Sequence, residues 1–267
     1  MLVDDPCYFN FRALLRAHQV KLVSVPYTPS GPDVASFEAV LEAERPRLYI
    51  TVSGLHNPTG ATMSPQTAHR VLNAATACDL TIVEDDIFAD FEPEPSARLA
   101  ALDGLNRVIR IGSFSKTLSA SLRCGFIAAR ADWIEQLVDL QVATGFGGPC
   151  AVATEIIASV LATGFYRKHV EELRRRLARA RRDVGEKLQR IGIEPWLMPR
   201  GGFQLWCRLP DGCDSADVAR AALADNIVLA PGNVFSTTQS ASGFMRFNVA
   251  QCRDPKLMPA LQRALGR

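Results

Sequence analysis

Three short stretches of this 267-residue chain carry side chains whose types and spacing could do chemistry. The first is His56-Asn57-Pro58-Thr59-Gly60, an Asn-Pro turn, and the second is the acidic run Glu84-Asp85-Asp86. The third is Ser113-Phe114-Ser115-Lys116, with Arg123 seven residues past the lysine. Two hydroxyls and a guanidinium suit a phosphate, because an anion needs convergent donors and a guanidinium offers a planar fork of them. A carboxylate can hold a ring nitrogen protonated, and a lysine amine can condense with an aldehyde to give a Schiff base. A phosphate, a protonated pyridine and an aldehyde on one ring together describe pyridoxal phosphate, an electron sink for carbanions.

These stretches must be brought to one place, and the hydrophobic pattern indicates how. Apolar runs at 48–53, 80–83, 108–112 and 124–129 read as strands, as does the opening Leu2-Val3, and residues 64–78 repeat apolar positions at helical spacing. Ser64 and Pro65 fit the N-cap and first helical position of that helix. Buried strands with helices between them predict an α/β fold with a mostly parallel sheet covered on both faces. Ligands of such sheets collect beyond the carboxyl ends of the strands, and each of the three stretches follows a strand.

The second half reads differently. Helical patterns at 132–144 and 151–162 flank a break at 145–149, and a long basic helix is expected over 166–191. Strands at 204–209 and 245–249 flank a helix at 215–225, capped by Asp214 or Ser215. The expected division is a pyridoxal-phosphate-binding large domain over 1–150 and a smaller α+β domain over 151–267, with the boundary somewhere in 145–165. Gly201-Gly202 reads as a strand entry where backbone must approach a ligand or a neighbouring strand closely.

Composition excludes other classes. With 48% hydrophobic and 22% charged residues the chain can bury a core, and 30 basic against 28 acidic residues leave +2, too little to require nucleic acid or a membrane as partner. Arg174, Arg175, Arg176, Arg179, Arg181 and Arg182 are interleaved with Glu171, Glu172, Asp183 and Glu186 at helical spacing, which reads as a solvated helix face rather than a nucleic-acid surface. Seven scattered cysteines with no C-x-x-C pair argue against a disulfide framework and a zinc site. His18, His56, His69 and His169 have no ligand spacing, so no metal site is expected. No apolar run reaches the roughly 18 residues of a membrane span, and the start lacks signal-peptide features, so a cytoplasmic location is expected.

The chain resembles the class I/II aminotransferases, fold type I pyridoxal-phosphate enzymes, and within them the aminotransferase-like domain of MocR/GntR-type transcription regulators. The resemblance rests on Asn57-Pro58-Thr59-Gly60, Glu84-Asp85-Asp86, Ser113-Phe114-Ser115-Lys116 with Arg123, Pro231-Gly232 followed by Phe235, and Arg246. It implies that Lys116 forms the Schiff base with the cofactor and moves the substrate α-proton. Asp85 would pair with the ring nitrogen; Asp86, one residue on, is turned to the other face by strand alternation. Asn57 would donate to the phenolic oxygen and border the substrate, while Ser113, Ser115 and Arg123 would hold the phosphate. Tyr8 resembles the aromatic residue stacked on the ring, and Arg246 the arginine that clamps the substrate carboxylate. Substrates would be an amino acid and a 2-oxo acid, and the assembly a homodimer with sites at the subunit interface.

Two departures from the family pattern stand out. Where the family carries a tyrosine two or three residues past the ring-nitrogen aspartate, this chain has Ile87 and Phe88. Family members also begin well upstream of Leu2-Val3. The sequence is therefore expected to be N-terminally truncated, to lack a phosphate-binding glycine turn, and to expose apolar surface and sheet edges. Three readings follow: an aminotransferase, an effector-sensing fragment of a MocR-type regulator that would meet nucleic acid only through a preceding domain, and a non-catalytic remnant.

Overall fold

The computed structural model describes residues 1–145 and 148–266. Its first half alternates strands and helices: β1 (Leu2–Asp5), α1 (Phe9–Ala17), β2 (Val23–Thr28), β3 (Gly31–Pro32), α2 (Val34–Glu44), β4 (Leu48–Thr51), α3 (Pro65–Ala77), β5 (Thr81–Asp85), α4 (Leu99–Asp103), β6 (Val108–Ser113) and β7 (Gly125–Ala128). The strands form one seven-stranded sheet in the order β3-β2-β1-β4-β5-β6-β7. β2, β1, β4, β5 and β6 run parallel, and the edge strands β3 and β7 are antiparallel. The mostly parallel α/β sheet expected from the sequence is the one observed.

Local signals start the helices. The Ser64 hydroxyl accepts from the Thr67 amide at 3.1 Å and Pro65 occupies the first turn of α3, while the Asp33 carboxylate does the same for α2 through the Ser36 amide at 2.8 Å. The buried stripe Ala68, Val71 and Ala75 of α3 packs with Phe37 and Leu41 of α2 on Leu2, Tyr49, Ile82 and Val108 of the sheet. Each such large side chain contributes about 1.5–3 kcal/mol by leaving water. β5 runs past the expected 83 to Asp85, and the Asp86 amide still donates to the Ile111 carbonyl at 2.9 Å. That extension puts an acidic residue at the strand's very end.

The second half contains α5 (Ala131–Gly145), α6 (Ala151–Ala162), α7 (Phe165–Arg190), β8 (Glu194–Pro195), β9 (Gln204–Arg208), α8 (Ser215–Ala222), β10 (Ala230–Pro231), β11 (Phe244–Asn248) and α9 (Leu257–Ala264). Of the break expected at 145–149, Phe146 and Gly147 lie outside the described residues. The four strands make an antiparallel sheet in the order β10-β11-β9-β8. Strand alternation gives it two faces. Leu205, Cys207, Met245 and Phe247 pack on Leu177, Val184 and Leu188 of α7, Val218 of α8 and Leu261 of α9. Trp206, with Phe235 and Phe244, lies in a separate cluster against which Phe9 of α1 packs. Asp214, rather than Ser215, caps α8.

The chain's first strand is fastened to a loop near its end. The Asp5 carboxylate accepts from the Thr237 and Thr238 hydroxyls at 2.6 and 2.8 Å and from both their amides, and the Cys7 amide donates to the Phe235 carbonyl at 2.9 Å.

Three expectations need correction or completion. The large sheet is not covered throughout: Phe126 and Ile127 of β7 are exposed, and α5 buries none of its residues, leaving Val138, Leu140 and Val142 in solvent. The basic helix is not purely a solvated face. Arg181 is buried and donates to the Gly202 carbonyl, and Arg174 Nε donates to the Asp90 carbonyl at 2.7 Å. α7 lies against loops whose carbonyls have no sheet partner, and long guanidinium side chains reach them. The outer pairs do form, Glu172 with Arg175 at 2.6 Å and Asp183 with Lys187 at 2.9 Å. Finally, the close approach at Gly201 is to backbone: a Cβ there would sit 2.2 Å from the Phe91 carbonyl oxygen. Among the described residues no helix is long and apolar enough to cross a membrane.

Candidate active site

Because β1, β4, β5 and β6 are parallel, their carboxyl ends lie along one edge of the sheet, and antiparallel β7 begins at that same edge. Tyr8 follows β1, Asn57 follows β4, Asp85 closes β5, Ser113 closes β6, Ser115 and Lys116 follow it, and Arg123 sits in the turn before β7. Arg246 arrives from β11, on the face opposite Met245 and Phe247.

The turn carrying Asn57 is closed by backbone bonds, Gly60 N–H to His56 O at 2.6 Å and His56 N–H to Ala61 O at 2.8 Å. Gly60 has φ of +74°, and a Cβ there would meet Pro199 Cγ at 2.5 Å, so glycine is required. Asn57 is thereby buried, and its Oδ1 accepts from Arg246 Nη1 at 2.9 Å, joining the two sheets. The Arg246 guanidinium lies 4.7 Å from the Phe235 ring centre. Its Nε is buried without a hydrogen-bond partner among the described residues. Burial pulls this arginine below its ordinary pKa, and the nearby Tyr8 phenol acts in the opposite sense. A cavity of about 390 Å³ opens beside it, bordered by Ile227, Ala230 and Asn248.

The three consecutive acids have separate fates. Glu84 accepts from the Leu99 and Ala100 amides at 2.8 and 2.9 Å and so caps α4. Asp86 accepts from Arg98 Nε at 2.6 Å and Arg110 Nε at 2.8 Å, on the face away from Asp85. Asp85 is 4% exposed, and its only hydrogen-bond donor among the described residues is the Ile87 amide at 3.2 Å. Burial pushes its pKa up to about 6; the Ile87 amide pulls it down, Asp86 raises it, and the positive charge of Lys116 lowers it. Lys116 is exposed, and no described residue hydrogen-bonds its ammonium.

The Ser113 hydroxyl accepts from the Ser115 amide at 3.1 Å and donates to the Cys124 carbonyl at 3.4 Å. Arg123 has φ of +48° and is exposed, and among the described residues no side-chain hydrogen bond or ion pair engages it. Thus Asn57 meets Arg246, Asp85 feels Lys116, and Ser113 meets Ser115, while no side-chain contact draws Arg123 to the serines. Ile87 is half-buried, and Phe88 is core, edge-to-face with Phe203 at 5.6 Å.

Two polar networks escape sequence reasoning. His56 stacks on Tyr27 at 3.8 Å, its Nδ1 lies 2.8 Å from Thr59 Oγ1, and its Nε2 is 3.3 Å from the Asp4 carboxylate without hydrogen-bond geometry; Asp4 accepts from Tyr49 and Thr51. The second joins Tyr166, His169, Thr117 and Asp90. Asp4 is 45 or more residues from Tyr49 and Thr51, and Thr117 is 49 or more from Tyr166 and His169, so no local spacing marks these contacts; the available hint was an ionisable residue, Asp4, inside a buried strand.

Comparison with known proteins bears on this arrangement. Residues 1–263 match the family described as aminotransferase class I and II. The chain is 26% identical to an uncharacterized HTH-type transcriptional regulator of Bacillus subtilis, YisV, over 95% of this chain and 53% of that protein. It is 28% identical to the 2-aminoadipate transaminase of Thermus thermophilus over 100% of this chain and 68% of that enzyme. Its fold superposes with a TM-score of 0.89, at 26% identity, on the crystal structure of the α-aminoadipate aminotransferase LysN from Thermus thermophilus, which is complexed with N-(5'-phosphopyridoxyl)-L-leucine; 100% of this chain and 70% of that one are covered. The chain thus spans about half the length of the regulator and about two thirds that of the transaminase.

Proposed function

Since the chain belongs to the class I and II aminotransferase family, we propose that it moves amino groups between amino acids and 2-oxo acids with pyridoxal phosphate, held through Lys116. The observation that carries this reading is Asp85, a buried carboxylate that among the described residues has one amide donor and no hydrogen-bonding cation, close enough to feel the charge of a lysine that no described residue hydrogen-bonds. A buried carboxylate in that condition fits a ring N–H⁺, which supplies the missing donor. The partnerless Arg246 Nε fits a substrate carboxylate in the same way.

When bound, the cofactor supplies a sink for the electrons left on the substrate α-carbon. The chain's own residues do the rest. Lys116 Nζ would hold the cofactor and serve as the base that takes the proton from the substrate α-carbon. Asp85 holds the ring nitrogen protonated. Ser113, Ser115 and Arg123 would hold the phosphate, Tyr8 would pack on the ring, and Asn57 would donate to the phenolic oxygen through its amide nitrogen while its Oδ1 orients Arg246. Arg246 fixes the substrate carboxylate. With Ile87 half-buried and Phe88 in the core, no tyrosine at either position assists Asn57. Residues 1–150 form the cofactor-binding domain and 151–267 the smaller one, and two copies pair over the apolar side chains exposed on β7 and α5. The chain works in the cytoplasm.

Borohydride reduction of the protein incubated with pyridoxal phosphate, followed by peptide mapping, tests this. The label is expected on Lys116 and lost in Lys116→Ala; a label elsewhere, or none in the wild-type chain, overturns the reading. The HTH-type relative favours a second reading, a sensor that binds the amino acid without turnover. A spectral change on adding amino acid with no 2-oxo acid released identifies the sensor.

A further inference from the structure

The ammonium of Lys116 has no hydrogen-bonding neighbour among the described residues, so its place relative to Asp85 depends on how the backbone of residues 115–117 is held. On one side the Ser115 amide is tied to Ser113. On the other side is Thr117, 2% exposed, and it is gripped twice by the first turns of α7. Its carbonyl lies 2.8 Å from His169 Nε2; a carbonyl only accepts, so that nitrogen carries the proton. Its hydroxyl lies 2.9 Å from the Tyr166 phenol, which also contacts the Asp90 carboxylate. A phenol has one proton and a carboxylate needs it, so Tyr166 donates to Asp90 and accepts from Thr117. Asp90 stands five residues past Asp85, and its carbonyl is held by Arg174 of the same helix.

We propose that Tyr166 and His169 are positioning residues for Lys116: α7 clamps the loop after β6 to the loop after β5 and so fixes the lysine amine against Asp85. This rests on the function proposed above. The clamp is polar and specific at both contacts, since Phe114 already packs edge-to-face on the Tyr166 ring at 6.0 Å and would go on doing so without the hydroxyl. The same helix forms the core of the second sheet through Leu177, Val184 and Leu188, so Lys116 is referenced to both sheets.

The test uses the full chain loaded with pyridoxal phosphate. Four proteins are compared: wild type, Tyr166→Phe, His169→Ala and His169→Gln. All are expected to carry the borohydride label on Lys116. In Tyr166→Phe and His169→Ala the pH midpoint of the bound cofactor's absorbance moves by at least about half a unit. Their kcat falls roughly tenfold, with KM for the amino acid within about twofold. His169→Gln, whose amide can still donate to the Thr117 carbonyl, returns both readouts toward wild type. Labelled variants with unchanged midpoint and kcat overturn the clamp alone, as does a His169→Gln that behaves like His169→Ala. A wild-type chain with no label on Lys116 overturns the functional reading, and the clamp with it. Should Tyr166→Phe unfold, the two His169 variants decide.

Discussion

Asp85 carries a pH signature of its own. With an ordinary value of 3.8 and a folded value of about 6, its carboxyl binds more protons in the folded chain than in the unfolded one. Stability from this group is therefore greatest at low pH and falls as pH rises from about 4 through about 6. In the cofactor-free protein, the difference in unfolding free energy between wild type and Asp85→Asn should shift by about 3 kcal/mol across that window, in favour of the variant at neutral pH. Urea unfolding at pH 4 and 7.5 measures it, and a pH-independent difference would contradict the burial-driven shift. That Asp85 and Asp86 face opposite ways was legible in the sequence because alternation along a strand is local. The pairing of Asp4 with Tyr49, Thr51 and His56 was not, since it depends on β1 lying beside β4.

Helices and strands with strong local rules were readable in the same way: the start of α3 at Ser64-Pro65 and the parallel order implied by alternating elements both hold. The two-residue strands β3, β8 and β10 were not, because so short a run has no period. The inward arginines of α7 were missed because their acceptors are loop carbonyls remote in sequence. Gly201 belongs at this scale too. Where sequence left a ligand and a neighbouring strand as alternatives, the crowding atom is the Phe91 carbonyl oxygen, part of the turn after β5. Backbone cannot swing aside as a side chain can, so Gly201→Ala should cost about 1–3 kcal/mol. Thermal or urea unfolding checks this, and an unchanged midpoint would mean the two turns are not packed as described.

At the scale of the whole molecule, α5 is the element least explained by the single chain. A 15-residue helix with no fully buried residue and only Trp133, Ile134 and Leu137 half-buried gains little from packing, and isolated helices of that length are marginal in water. If two copies cover it, Leu140→Glu combined with Val142→Glu should weaken self-association roughly tenfold or more while leaving the unfolding of the second sheet unchanged. Sedimentation at a series of concentrations decides this, and a wild-type chain that stays monomeric throughout would refute the pairing.

The bonds from Asp5 and Cys7 to residues 235–238 stitch the polypeptide's opening to a segment more than 220 positions away. Phe235, which underlies the Arg246 guanidinium, belongs to that segment. Asp5→Ala would therefore register as a displacement of Phe235 beneath the Arg246 guanidinium, while β1 keeps its pairing with β2 and β4.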